Sequence, residues 1–200
     1  MYALVVPLQF RPGFREGFLR VYQGHAVPDL LQRRGFGGAL VLTEADRDTG
    51  VLLSLWDSQT DVLKSQSHSR RILSAMLLPF LAQTPALEVF EVCVQSGQYV
   101  GGTAARILTL PVAGEQLDDV LAIYHRELLP ELKRQKGFQG VFWLADRVAG
   151  TGYGVTMWTT PDTMRAADAS GGFFPSAAAK LALFFRQPPA VRYYTVSSQL

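Results

Sequence analysis

Gly35-Phe36-Gly37-Gly38 and Gly137-Phe138-Gln139-Gly140 open two segments, 35–56 and 137–158, that read as copies of one another. Leu42 matches Leu144, Thr49-Gly50 matches Thr151-Gly152, and Trp56 matches Trp158. The offset is 102 residues, from 35 to 137 and from 56 to 158. Upstream it also pairs Leu8 with Leu110, Tyr22 with Tyr124 and Pro28 with Pro130. Near the end it becomes 104, where Gln83, Pro85 and Ala86 match Gln187, Pro189 and Ala190, so two extra residues are expected near Gly171-Gly172. A period this long is one small domain, because solenoid units run about 20–50 residues. The chain reads as a tandem duplication: one domain over 1–95, a Gly-containing linker over 96–104, and a second domain over 105–200.

Each copy reads β-α-β-β-α-β. Apolar strands open the copies at about Tyr2–Gln9 and Ala105–Pro111. In the second copy Leu117, Leu121, Tyr124, Leu128 and Leu132 then recur at helical spacing. Pro28 and Pro130 fall inside these helices and are expected to kink or divide them. The basic residues before Gly35 and Gly137 suit a last helical turn, with each glycine supplying a left-handed cap. Two strands follow, about Phe36–Glu44 with Val51–Trp56, and Phe138–Ala145 with Tyr153–Trp158, joined by turn-rich stretches. Ser58 with Asp61 resembles a capping box, and Thr160 precedes Pro161 at a first helical position. Last strands are expected at about Leu87–Val94 and Val191–Ser197. This is the split βαβ, or ferredoxin-like, plan. The helices cover one face of each sheet, and the economical fold packs the two antiparallel sheets face to face within the chain.

The 200 residues are 48% hydrophobic, enough for one or two cores. No apolar run has the length of a membrane span, and Tyr2–Phe10 reads as a first strand rather than a signal peptide. One cysteine, Cys93, points to a reducing, cytoplasmic compartment. A net charge of +2 supplies no strong field for nucleic acid or membrane. Three scattered His and one Cys do not form a metal set, and no nucleophile elbow or dinucleotide fingerprint appears.

The pattern resembles the dimeric α+β barrel superfamily, and within it the antibiotic biosynthesis monooxygenase-like domains. The resemblance rests on Leu129-Pro130-Glu131-Leu132 running to Gly137-Phe138-Gln139-Gly140, on Leu55-Trp56-Asp57-Ser58, and on Pro189-Ala190-Val191-Arg192-Tyr193-Tyr194. It covers nearly the whole chain, once per copy, and implies a pseudo-dimeric α+β barrel made by one chain. That superfamily includes cofactor-independent oxygenases of aromatic polyketides, haem-degrading enzymes and proteins without established activity. Haem degradation is disfavoured, because the chain contains no Asn and the second copy lacks a His matching His68.

Several side chains are candidates for a site. Trp56 and Trp158 end equivalent strands. Alternation puts Leu53 and Leu55 on one face and Leu52, Ser54 and Trp56 on the other. The uniformly apolar set is expected under the helices, and the mixed set, with Ser54 and Thr156, at a cavity where a Trp stacks on a flat ligand. His68 is a candidate general base, with Arg70 or Arg71 to stabilise an anion. Tyr22 and His25 are expected to share a helix face, with Tyr124 as the counterpart of Tyr22. Arg106 replaces Leu4 in the first strand, and either places a charge in the cavity or snorkels from the strand end.

The reading is therefore a monooxygenase-like protein binding a hydrophobic or aromatic small molecule in an apolar cavity, without a cofactor or metal. If it is an enzyme, the resemblance implies cofactor-independent oxygenation of an aromatic or polycyclic phenol. His68 would take the proton, Trp56 would pack on the rings, and Arg70 would bind the anion, with Tyr22, His25, Ser54, Tyr124 and Trp158 contacting the ligand. The alternative is a non-catalytic ligand-binding or structural protein, since no polar pair is repeated in both copies. Whether two fused chains pair again as a homodimer stays open.

Overall fold

A near-continuous apolar run forms β1 (Tyr2–Gln9), and the stretch 102 residues on forms β5 (Ala104–Leu110). The computed structural model describes residues 1–97, 101–112 and 114–200. After β1 come α1 (Arg15–Val21), α2 (Val27–Leu30), β2 (Phe36–Thr43), β3 (Thr49–Trp56), α3 (Gln59–Ile72) and β4 (Glu88–Gly97). After β5 come α4 (Leu117–Ile123), α5 (Leu129–Lys133), β6 (Phe138–Asp146), β7 (Thr151–Trp158), α6 (Pro161–Asp168), α7 (Phe173–Leu181) and β8 (Ala190–Gln199). The fold is mixed α+β.

Two compact units divide the chain: Met1–Glu91 with Tyr194–Leu200, and Val92–Tyr193. The strand order is β4-β1-β3-β2-β8 in the first and β8-β5-β7-β6-β4 in the second. The boundary between the units falls within β4 and within β8, ten residues each, so both strands are counted in both. The strand registers run antiparallel, for example Leu4↔Ser54 and Arg106↔Thr156. Strand occupies both ends of the linker expected over 96–104, and its Gln98–Val100 lie outside the described residues.

Equivalent sequence signals produce equivalent local structure. Gly35 and Gly137 have the expected left-handed φ, 74° and 81°, but α2 ends at Leu30 and α5 at Lys133, so both glycines lie in the turn before the next strand rather than capping a helix. The next residues slip register at Phe36/Gly38 and at Phe138/Gly140, bulging β2 and β6 at the same place. Before each proline a π-helical turn, Tyr22–Ala26 or Tyr124–Leu128, joins α1 to α2 and α4 to α5. The wider turn accommodates a ring that would otherwise meet the carbonyl four residues back. Ser58 Oγ accepts from the Asp61 N–H at 3.1 Å, and Thr160 caps α6 by accepting from the Thr163 N–H at 3.2 Å. Where α3 runs unbroken for 14 residues, the second unit breaks into α6 and α7 around Gly171, whose φ is 80°. The break coincides with the expected two-residue insertion.

One expectation is overturned. Leu52 and Trp56 belong to the core formed with Phe18, Tyr22, Ala26 and Leu30, so the mixed face carries the helices. The uniformly aliphatic set, with Leu53 and Leu55, lies on the opposite face and is equally buried. Polarity misleads here because the polar atoms satisfy one another. Trp56 Nε1 donates to Ser54 Oγ at 3.0 Å, so the helices can cover this pair without orphaning the indole N–H.

Candidate functional site

Arg106 stands in β5 where Leu4 stands in β1. It is 1% exposed, in a position its aliphatic counterpart fills without electrostatic cost. The guanidinium is ion-paired with Asp168 at the end of α6. It also lies 4.8 Å from the ring of Phe174 and 5.7 Å from that of Trp158. Burial pushes the guanidinium down to about 10, opposed by Tyr193 and Tyr124, so Arg106 stays charged at neutral pH. Burial also raises the Tyr124 hydroxyl well above the usual phenol range, with Arg106 acting the other way. Tyr124 meets Trp143 edge-on, ring centroids 4.6 Å apart.

Arg106, Tyr124, Trp143, Gly154, Thr156 and Phe174 line a cavity of about 60 Å³ between the sheet of the second unit and its helices. Its remaining walls are aliphatic or aromatic. Partly exposed Phe174, Phe185 and Pro189 belong to its lining, so it reaches the surface. Arg106 Nε and Trp143 Nε1 are buried N–H donors with no hydrogen-bond partner among the described residues. Asp168 Oδ2 is likewise unpartnered.

The first unit has a cavity at the equivalent place, about 30 Å³, lined among others by Leu4, Tyr22, Leu52, Ser54 and Ile72. Several equivalent positions differ, among them Val41, which becomes Trp143. Leu52 becomes Gly154, which removes a side chain, and Leu4 becomes Arg106, which adds a charge. At about 10–15 Å³ per water, the second cavity holds roughly four waters or a small ligand group, and the first about two waters.

The other expected site residues are placed as follows. Trp56 and Trp158 are buried, and Trp158 Nε1 donates to Thr156 Oγ1 at 3.0 Å, as Trp56 does to Ser54. Trp56 also borders a cleft of about 190 Å³ lined by Arg33, Arg34, Asp61, Lys64 and Ser65. His68 is on α3 outside that lining. Its Nε2 lies 2.6 Å from Asp29 Oδ2 and its Nδ1 3.2 Å from Arg71 Nη2, while Arg33 Nη2 lies 2.7 Å from Nε2 and 3.1 Å from Nδ1. Both ring nitrogens are thus engaged. The hydrogen bond from Arg33 holds the Asp29 carboxyl below the usual carboxylate range, with His68 adding to the effect. Arg70 is exposed, while Arg71, three residues after His68, reaches the ring.

Tyr22 is buried against Phe18, its ring parallel at 6.2 Å, and its hydroxyl has no partner among the described residues. His25 is exposed, so the two do not share a face. The reason is the π turn: i→i+5 bonding turns the residue three positions on away from the face it would occupy in an α-helix. Sequence reasoning missed Trp143, Asp168 and Phe174. The available signal was the offset of 102, which sets Trp143 against Val41 and Asp168 against Gln66. Among the described residues no group of three or more His, Cys, Asp or Glu is placed to hold a metal ion. No helix there is long and apolar enough to cross a membrane.

Solved structures share this architecture over the whole chain. A candidate monooxygenase of Fusobacterium nucleatum subsp. nucleatum ATCC 25586 matches with a TM-score of 0.78 at 12% identity, covering 99% of this chain and 93% of that one. The fold is that of the monooxygenase-like α+β barrels. An anthrone oxidase-like protein matches with a TM-score of 0.71 at 13% identity, covering 100% and 92%. A ferredoxin-fold protein related to antibiotic biosynthesis monooxygenases, from Listeria monocytogenes 4b F2365, matches with a TM-score of 0.60 at 10% identity, covering 99% and 95%. At these identities the likeness is one of fold. No family model and no curated protein matches the sequence.

Proposed function

We propose that this chain is a small-molecule-binding protein of the monooxygenase-like α+β barrel type, a fused pseudo-dimer of two βαββαβ domains acting in a reducing, cytoplasmic compartment. Its ligand is an apolar, ring-bearing molecule that seats in the cavity of the second unit. The observation that carries this reading is an almost wholly apolar cavity of about 60 Å³, with Gly154 where the smaller cavity of the first unit has Leu52. The likeness to an anthrone oxidase-like protein and to monooxygenase-related proteins supports a ring-bearing ligand. In this reading the first unit is the supporting copy, its cavity filled by Leu4 and Leu52. Gly154→Leu restores the residue of the first copy and should abolish thermal stabilisation by small aromatic ligands. Stabilisation unchanged in that variant would remove the cavity from the reading.

The second reading is cofactor-independent oxygenation of an aromatic phenol in the first unit, with His68 as base. It is favoured by the Asp29 carboxylate 2.6 Å from Nε2, the arrangement that orients an imidazole. Against it stand two arginines on the ring nitrogens, Arg71 on Nδ1 and Arg33 nearer Nε2. Oxygen uptake with a panel of phenols decides between them. Uptake lost in His68→Ala supports the second reading, and uptake unchanged in that variant excludes His68 from the chemistry.

A further inference from the structure

We propose that the cleft beside Trp56 in the first unit binds a phosphate group, at a site separate from the apolar cavity of the second unit. The cleft is about 190 Å³ and is lined by Arg33, Arg34, Trp56, Asp61, Lys64 and Ser65. At about 10–15 Å³ per water it holds roughly a dozen waters or more, ample for a phosphate group with part of its hydration. Its lining carries three cations against one carboxylate.

The helices do not account for these cations. α2 ends at Leu30 and its last turn holds no basic residue, so Arg33 and Arg34 follow the helix rather than complement its final turn. Lys64 stands in the first half of α3, away from the C-terminal turn where the dipole favours a cation. Nor does the fold require them. At the offset of 102, Gln135 and Ala166 replace Arg33 and Lys64, in an equivalent turn and helix. Arg34 and Lys64 are exposed, and neither is paired with a carboxylate among the described residues. Arg33 commits Nε and Nη2 to Asp29 and His68, which leaves Nη1 without a partner among the described residues. The one lining carboxylate, Asp61, accepts from Ser58 Oγ at the start of α3.

Three cations from two elements suit a phosphate better than a carboxylate. A phosphate monoester has three strong acceptor oxygens, one for each cation, where a carboxylate has two. Guanidinium forks match phosphate oxygens, and a lysine adds a point charge. The cleft is open to water at Arg34 and Lys64, so an anion there avoids most of the desolvation that burdens a buried ion.

The test titrates the whole chain by calorimetry, at neutral pH and constant ionic strength, with inorganic phosphate, phenyl phosphate and acetate. At least one of the phosphates is expected to bind about tenfold or more tightly than acetate. Tighter binding of phenyl phosphate assigns the site to a monoester, and equal or tighter binding of inorganic phosphate assigns it to the free anion. Lys64→Ala and Arg34→Gln change exposed side chains outside the core, so both variants are expected to fold. Each should weaken phosphate binding about tenfold, the loss of one charge-assisted contact. Lys136→Ala removes the exposed cation equivalent to Arg34 in the second unit and should leave binding unchanged. Acetate binding as tightly as both phosphates would overturn the assignment to phosphate. No phosphate binding, binding unaffected by Lys64→Ala, or binding weakened as much by Lys136→Ala would overturn the site itself.

Discussion

Trp56 donates its indole N–H to Ser54, two residues earlier on the same strand, at 3.0 Å, and Trp158 does the same to Thr156. A hydroxyl at this position is thus part of how each copy buries a tryptophan. Ser54→Ala should strand the indole N–H and cost about 1–3 kcal/mol. Thr156→Val should do the same in the second unit. Urea unfolding measures both, and an unchanged midpoint in either variant would mean that the pair contributes no net stability.

The Arg106–Asp168 pair makes a different prediction for single and double variants. Arg106→Leu alone leaves a buried carboxylate without a partner and should cost about 3–5 kcal/mol. Adding Asp168→Gln removes that charge, and should bring stability back to the starting value or above it, since buried ion pairs replaced by packed side chains are often neutral or favourable. A double variant as unstable as the single one would show that the charge is not the cause.

Around His68 the expected signature is acid sensitivity. Asp29 has its pKa lowered, chiefly by the hydrogen bond from Arg33, so the ionised form is favoured in the folded state. Its contribution is present in full above the ordinary aspartate range, about 3.9. It is lost as pH falls through the lower folded-state value. The side chain is 34% exposed, so the contribution is at most about 1 kcal/mol. Asp29→Asn should be less stable than the parent at pH 7 and equal to it at strongly acid pH. A difference that persists in acid would assign the effect to packing instead.

Much of this was legible in the chain itself. The 102-residue offset placed strands and turns, because Gly35 and Gly137 need a left-handed backbone that few residues adopt, and Thr160-Pro161 starts a helix in a recognisable way. The face of the sheet that carries the helices was not legible. Both faces of β3 are buried, so alternation of polarity no longer separates inside from outside. The π turns were hidden as well, because 3.6-residue spacing was assumed through Tyr22 and His25. The importance of Arg106 depended on Asp168, 62 residues away, which only the folded chain brings to it.

The central claim is that ligand binds at Trp143 and Arg106. The three tryptophans make it directly measurable, because each indole N–H gives its own resonance in a ¹⁵N-correlated spectrum, assigned by Trp143→Phe, Trp56→Phe and Trp158→Phe. On titration with a small aromatic ligand, the Trp143 N–H should shift, because its ring lines the cavity. Those of Trp56 and Trp158, already bonded to Ser54 and Thr156, should move little. A ligand-induced shift confined to Trp56, with Trp143 unmoved, would contradict this account and place the site in the first unit.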